Sequence, residues 1–185
     1  MRVIAGSARR LNLKTVPGRD IRPTTDRIKE TLFNMIQNDV PGCLFLDLFS
    51  GSGAIGIEAL SRGAGQAFFV DNSNTAVACI RENLRFTKLE DSGIVMECSA
   101  VTAISRLESK NICFDIIFMD PPYDMDLEAE VLCRLHDSSL VEEDTLLIVE
   151  ASLGTSFGYL EDYGFEVLKT REYKTNKHVF ITKKR

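Results

Sequence analysis

The chain has 185 residues, of which 44% are hydrophobic and 26% are charged. This length predicts one domain with a sizeable core, because domains usually hold ~100 to 200 residues. The composition excludes a disordered chain, and no apolar run approaches the ~20 residues that a membrane-spanning helix needs.

The net charge of −5, from 22 basic and 27 acidic residues, at first argues against a nucleic-acid partner. The charges are segregated, however: residues 1–29 hold eight basic and two acidic side chains, and residues 169–185 hold seven and one. The 139 residues between them carry −17. Two basic ends of +6 each predict an RNA partner reached through those ends, the alternative being that they only solvate the surface.

Five cysteines and two histidines are scattered along the chain without CxxC spacing. We therefore expect no zinc or other metal site and no disulfides, and interpret the cysteines as small apolar side chains. The first ten residues, MRVIAGSARR, lack the apolar core of a signal peptide. A cytoplasmic protein that does not enter a membrane is expected.

The first 40 residues predict a small extension. Short alternating runs at residues 2–5 and 11–16 flank GSARR and favour a β-hairpin. A helix follows, with Thr24 or Thr25 as its cap and Asp26 in its first turn. Its apolar face would hold Ile28, Leu32, Met35 and Ile36.

Apolar runs of strand length alternate with helical patterns after Pro41. This alternation predicts an α/β fold with a mostly parallel sheet covered on both faces. Two closing runs around KTNK predict a C-terminal antiparallel hairpin, which gives seven strands in all. The predicted strands are 44–49, 67–70, 94–98, 114–119, 146–149, 165–173 and 178–182, and the predicted helices are 54–62, 74–88, 100–109, 127–136 and 156–162. We expect two parts: the hairpin and helix of residues 1–40, facing RNA, and a catalytic domain of residues 41–185.

The segment LFLDLFSGSGAIGIEAL predicts a strand, a glycine-rich turn and a helix, which suits a ligand that approaches the backbone. Asp47 lies within the strand, where a buried carboxylate needs a cationic or N–H-rich partner. Asp71 ends the next strand and could accept hydrogen bonds from ribose hydroxyls. A nicotinamide dinucleotide or S-adenosylmethionine would fit, and Asp47 favours the second because it would repel a pyrophosphate.

The fourth strand ends in FMDPPYDM. Pro121 and Pro122 predict a rigid turn that leaves backbone carbonyls free as acceptors. Asp120 and such a carbonyl could accept hydrogen bonds from both hydrogens of a planar NH₂ group. They would thereby orient its lone pair toward a methyl carbon. Tyr123 would stack on an extruded base.

Together, DLFSGSGAIGIEAL and MDPPY resemble the amino methyltransferases that use S-adenosylmethionine. Three further segments narrow the resemblance to the bacterial small-subunit ribosomal RNA guanine-N2 methyltransferases: RVIAG, RPTTDRIKETLFN and ALSRGA. It covers nearly the whole chain and implies a Rossmann-like methyltransferase sheet, with methylation of N2 of one guanine in 16S ribosomal RNA, within an assembling 30S particle.

The resemblance also implies roles for individual residues. Ser99 stands where many methyltransferases carry an acidic residue, so a hydroxyl or a backbone group would serve the adenine. The arginine roles are argued from position instead. RPTTD is either a helix cap that covers one sheet face or a segment whose Arg22 and Arg27 order the cofactor pocket or meet RNA, and Arg9 and Arg10 would contact phosphate because a hairpin turn projects its side chains into solvent. The implied cofactor residues are Asp47, Phe49, Gly51, Ser52, Gly53, Asp71, Asn72, Ser99 and Ala100, and the implied target-base residues are Asp120, Pro121, Pro122 and Tyr123.

Other functions remain open at this point. Sequences like DPPY also occur in adenine-N6 and protein glutamine-N5 methyltransferases. A nicotinamide-dependent oxidoreductase and a non-catalytic RNA-binding subunit are further alternatives. The short chain argues against a DNA enzyme with a target-recognition domain, and the basic ends argue against a glutamine methyltransferase.

Overall fold

The computed structural model describes residues 1–16, 26–122 and 125–184. Helices and strands alternate as predicted after the first helix. The helices are α1 (Asp26–Met35), α2 (Ala54–Ser61), α3 (Asn74–Thr87), α4 (Ala100–Glu108) and α5 (Leu127–His136). The strands are β1 (Leu44–Leu48), β2 (Gln66–Asp71), β3 (Gly93–Glu97), β4 (Ile116–Met119), β5 (Leu146–Ser152), β6 (Phe165–Glu172) and β7 (Asn176–Lys183).

The seven strands form one sheet in the order β3-β2-β1-β4-β5-β7-β6. The first five are parallel, and β7 inserts antiparallel between β5 and β6. This is the mostly parallel sheet with a C-terminal antiparallel hairpin that the sequence predicted.

Each face of the sheet has its own hydrophobic cluster, because alternate strand residues point to opposite faces. Phe45, Phe69 and Phe118 pack on one face with α1, α2, α3 and residues of the N-terminal segment. Leu48, Val70 and Met119 and their neighbours pack on the other face with α4 and α5. Among the described residues, no helix has both the length and the apolar character needed to cross a bilayer.

The two predicted N-terminal runs pair as a short antiparallel hairpin, through a bridge between Arg2 and Asn12. Backbone hydrogen bonds join Val3 N–H to the Leu11 carbonyl and Leu13 N–H to the Met1 carbonyl, both at 2.9 Å.

The hairpin also packs against α2 and α3 through side chains of those helices. The backbone N–H groups of Ile4 and Ala5 donate to the Glu58 carboxylate, at 2.8 and 3.0 Å. That of Ala8 donates to Ser61 Oγ at 3.0 Å. These acceptors lie more than 50 residues downstream, so local alternation could not identify them.

The predicted α-helix at 156–162 is wrong, since Gly158–Tyr163 forms a six-residue 3₁₀ segment. Gly164 follows it in the left-handed conformation, with φ of 63°, and ends the segment before an α-helix can develop. The capping of α1 by Thr24 or Thr25 lies outside the described residues. The α1 helix itself begins at Asp26, as expected for an acidic first turn.

One row of residues crosses the carboxyl edge of the sheet. Asp71 ends β2, and Phe49 and Asp120 directly follow β1 and β4. Because Met119 pairs with Val149, Asp120 lies level with Glu150, which in turn pairs with His178. We call Asp71, Phe49, Asp120, Glu150 and His178 the carboxyl-edge row.

Candidate active site

A cavity of about 980 Å³ opens at the carboxyl edge of the sheet. It lies where the chain turns away from β1 and β4, whose connections run in opposite directions. Such switch points are where open α/β sheets bind ligands. The cavity is at the upper end of the ordinary range for small-molecule sites. Its walls include Asp47, Phe49, Gly51, Ser52, Asp71, Asn72, Ser99, Ala100, Asp120, Pro121 and Pro122.

The glycine-rich turn after β1 is held by its own backbone and by Ser50. Gly51 and Gly53 both have positive φ, of 55° and 77°, which other residues adopt at a cost. The Ser50 hydroxyl donates to the Asp47 carbonyl at 2.6 Å and accepts from Val70 N–H at 2.9 Å. Gly53 is buried as the N-cap of α2 and, unlike Gly51, is not part of the cavity wall.

Asp47 is buried in β1, with 1% of its surface exposed. Its carboxyl group accepts a hydrogen bond from the Gly56 N–H at 3.0 Å. Burial, together with the nearby Asp71 carboxylate, raises the pKa of Asp47 to about 8. A positively charged ligand group beside Asp47 would therefore be a favourable partner.

Asp71 connects the end of β2 to the glycine-rich turn. One carboxylate oxygen accepts from the Gly51 N–H at 3.0 Å, and the other accepts from the Ser73 N–H at 2.9 Å. The side chain is buried but borders the cavity. Its position fits the predicted contact with ribose hydroxyls.

Ser99 is the N-cap of α4. Its hydroxyl accepts from the Thr102 N–H at 3.2 Å and donates to Thr102 Oγ1 at 2.9 Å. The hydroxyl hydrogen is therefore engaged within the helix cap. Backbone groups of Ser99 and Ala100 remain the polar groups that this wall offers to an adenine ring.

Asp120 follows β4 at the centre of the carboxyl edge. Burial raises the pKa of Asp120 well above its usual value, and the Glu150 and Asp47 carboxylates raise it further. Pro121 is buried and Pro122 is exposed. Tyr123 lies outside the described residues.

Glu150 and His178 complete the polar part of the row, and sequence reasoning missed both. Glu150 lines the cavity with 4% of its surface exposed, and His178 is fully buried. His178 Nε2 lies 3.0 Å from Glu150 Oε2, and Asn176 Nδ2 lies 2.5 Å from Oε1. The signal that identified Asp47, a carboxylate inside an apolar strand, is equally present in LLIVEAS.

The N-terminal segment also contributes to the cavity, through Met1, Thr15 and Val16. Asn83 of α3 ties this segment to the glycine-rich turn. Its amide donates to the carbonyls of Lys14 and Ser52, at 3.0 and 2.9 Å, and accepts from the Lys14 N–H at 2.9 Å.

Three of the predicted RNA-contacting arginines, Arg9, Arg10 and Arg27, are exposed and do not line the cavity. Arg22 lies outside the described residues. Within residues 1–16, 26–122 and 125–184, no group of three or more His, Cys, Asp or Glu side chains could hold a metal ion.

The seven-stranded sheet, the glycine-rich turn and the cavity at the switch point define a Rossmann-like methyltransferase. The sequence identifies the family. The protein-family model described as "Conserved hypothetical protein 95" matches residues 1–182, so the chain belongs to that family.

Named relatives agree with this class. The chain is 39% identical over 150 residues to "Putative rRNA methyltransferase YlbH" of Bacillus subtilis, covering 81% of this chain and 82% of the relative. It is 33% identical over 153 residues to "Ribosomal RNA small subunit methyltransferase D" of Escherichia coli, covering 83% and 75%. A solved structure, "Putative methyltransferase yhhF from Escherichia coli", superposes with a TM-score of 0.84 at 28% identity, covering 100% of this chain and 98% of the other.

Proposed function

We propose that the protein transfers a methyl group from S-adenosylmethionine to the exocyclic N2 of one guanine in 16S ribosomal RNA. The observation that carries this proposal is a single cavity bordered by Asp47 and Asp71 on one side and by Asp120 and its Pro-Pro turn on the other. The named relatives support ribosomal RNA as the substrate class.

The residues present fit this cofactor. Asp47 is a buried carboxyl group that a ligand ammonium would neutralise, and Asp71 is placed for ribose hydroxyls. Gly51 and Ser52 bring the backbone to the cavity wall, and Ser99 and Ala100 also line the cavity. When bound, S-adenosylmethionine supplies an electrophilic methyl group on a sulfonium centre.

Asp120 would orient the acceptor amine. The lone pair of an exocyclic base amine is delocalised into the ring, so the amine is a poor nucleophile until it is rehybridised. Asp120 and a carbonyl of the Pro121–Pro122 turn would accept its two hydrogens and hold the lone pair toward the methyl carbon. Tyr123 would provide the stacking face for the extruded base.

Asp120 is also placed to take the proton that the methylated amine releases. Its raised pKa makes the carboxylate a better base than an exposed aspartate. Positive charge bound beside Asp47 and Asp120 would favour the ionised form of both, which is the form that accepts hydrogen bonds.

The RNA contacts are assigned to residues 1–40, as an RNA-facing extension of the catalytic domain at 41–185. Arg9 and Arg10 are exposed beside the turn that follows Gly6, which suits phosphate contact. Arg27, which is exposed on α1, and Arg22 are assigned to contacts with RNA. We place the reaction in the cytoplasm, on an assembling 30S particle.

The test is incubation with labelled methyl donor and small subunits from cells that lack the gene. We expect N2-methylguanine in 16S RNA after digestion and mass analysis, and little incorporation into subunits from cells that retain the gene. N6-methyladenine, methylated glutamine in a protein, or no incorporation would contradict the proposal. Calorimetric binding of NAD in place of S-adenosylhomocysteine would support an oxidoreductase instead.

A further inference from the structure

We propose that Glu150 reads the N1–H of the target guanine and thereby makes the site reject bases whose N1 is unprotonated. The inference rests on the proposed function, since it names how the same site selects guanine. It adds a specificity residue from β5 to the Asp120 turn.

The position of Glu150 is the first argument. It is the acidic residue of an otherwise apolar strand segment, it is 4% exposed, and it lines the cavity. The strand register places it level with Asp120 on the neighbouring strand. A base whose amine reached Asp120 would bring one of its two flanking ring positions toward Glu150. In guanine these are N1–H and N3, and a carboxylate pairs only with N1–H.

The fixation of Glu150 is the second argument. Asn176 Nδ2 lies 2.5 Å from Oε1, and His178 Nε2 lies 3.0 Å from Oε2. The Tyr173 hydroxyl lies 3.2 Å from His178 Nδ1. These contacts fit the tautomer that donates from Nε2 to Glu150 and accepts from the Tyr173 hydroxyl at Nδ1. The carboxylate is thus held in one orientation by donors from β7, as a recognition group must be.

The chemistry of the bases is the third argument. Next to its N2 amine, guanine presents N1–H, a hydrogen-bond donor. Next to its N6 amine, adenine presents an unprotonated N1, an acceptor. An ionised carboxylate can only accept, so it pairs with guanine N1–H and faces a lone pair in adenine. Sites that leave a buried polar group unpaired reject the wrong substrate by large factors.

The experiment uses 2-aminopurine, which keeps the 2-amine but lacks both the hydrogen on N1 and the O6 carbonyl. The effect of the Glu150 variant on the substrate ratio isolates the part of the preference that depends on Glu150. Once mass mapping has located the methylated guanine, small subunits are reconstituted with ligated 16S RNA carrying guanine or 2-aminopurine at that position. The measured quantity is the ratio of kcat/KM for the two substrates. We expect the wild-type protein to prefer guanine by about 100-fold or more.

Glu150→Gln should lower that preference at least tenfold, because an amide can donate to N1 of 2-aminopurine. The Asn176 amide can rotate to remain paired with the new side chain, which preserves the fold. Glu166→Gln, on the exposed part of β6, is the matched control and should leave the ratio unchanged. Because the ratio compares two substrates on one protein, a general loss of stability or activity does not move it.

The outcomes separate this inference from the proposed function. If the wild-type protein methylates neither substrate, the proposed function is overturned. If it methylates guanine and 2-aminopurine equally well, or if Glu150→Gln leaves the ratio unchanged while guanine is still methylated, the assignment of Glu150 is overturned. Should Glu150→Gln fail to fold, equal methylation of guanine and 2-aminopurine by the wild-type protein would still overturn the assignment.

Discussion

The carboxyl groups in the cavity are the residues on which the chemistry depends. Asp47 is buried and Asp120 is half-buried, and loss of hydration raises the pKa of each. Carboxyl groups in such positions cost stability unless they have partners. Bound positive charge and a base amine would supply those partners.

Asp120→Ala is expected to lower methyl transfer by roughly 10²- to 10⁴-fold, because it removes the group that orients the amine and accepts its proton. Binding of S-adenosylhomocysteine, measured by calorimetry, should stay nearly the same. Asp144→Ala, which removes an exposed carboxylate before β5, serves as the control. Equal loss of binding and turnover in Asp120→Ala would refute the role of Asp120.

Asp47→Asn is expected to weaken S-adenosylhomocysteine binding and to stabilise the protein at high pH. The folded-state pKa of about 8 exceeds the unfolded value of ~3.9, so the folded protein holds the proton more tightly. The wild-type protein therefore loses stability as the pH rises from about 4 to 8, and the asparagine variant does not. The melting temperature of the variant should exceed that of the wild type by several degrees at pH 9, and by much less at pH 5. A difference that does not change with pH would show that Asp47 ionises freely in the folded protein.

The helices and strands show which parts of the molecule local sequence can specify. All seven strands were predicted, because alternating apolar runs and glycine turns are local signals. The docking of the N-terminal hairpin was not predicted, because Ile4 and Ala8 donate to the distant side chains of Glu58 and Ser61. The buried ion pair between Lys29 and Glu58, at 3.1 Å, could not be predicted either, since its two residues meet only in the folded chain.

Some parts of the candidate site could likewise be predicted from local sequence, and others could not. Asp47 and Asp120 were found because each stands out within or beside an apolar strand. Contacts between side chains in the folded protein could not be predicted. The hydrogen bond of Ser99 within its helix cap and the contact between Glu150 and His178 both depend on side-chain orientation. Residues from distant strands join one site because parallel strands end at a common edge of the sheet.

Asn83 links the N-terminal segment, α3 and the glycine-rich turn, so its loss should affect all three. We expect Asn83→Ala to lower the free energy of unfolding by about 1 to 3 kcal/mol, because half-buried backbone groups of Lys14 and Ser52 lose their partner. S-adenosylhomocysteine binding should weaken in parallel. Glu82→Ala is the matched control, because it breaks an exposed ion pair to Lys14 worth at most ~1 kcal/mol. Urea unfolding of the two variants measures the difference, and equal stability would exclude the linking role.

The whole molecule separates its charges by segment. The acidic middle of the chain contains the cofactor carboxylates and Asp120, whereas the ends carry the positive charge. A net charge of −5 therefore does not describe what a phosphate backbone would meet. The distribution favours an approach in which RNA contacts the ends and a single base enters the cavity.

Replacing both Arg9 and Arg10 with alanine should weaken RNA binding and reduce its salt dependence. Each phosphate contact contributes ~0.7 to 0.9 to the slope of log K against log salt, so the slope should fall by about 1 to 2. Arg106→Ala with Lys110→Ala removes the same charge from the exposed end of α4 and should change neither quantity. Filter binding to 16S RNA over a range of salt concentrations tests this, and equal behaviour of the two double variants would mean that the N-terminal charge only solvates the surface.

The position of the carboxyl-edge row indicates where the chain should tolerate an insertion. Every group assigned to chemistry lies at one edge of the sheet, and the turns that lead back into parallel strands lie at the other. The exposed turn at Ser109, Lys110 and Asn111 is one of these. A reporter domain or a flexible linker inserted there would lengthen a connection without moving any strand by a residue, whereas one residue inserted within β4 or β5 would turn Asp120 or Glu150 to the opposite face.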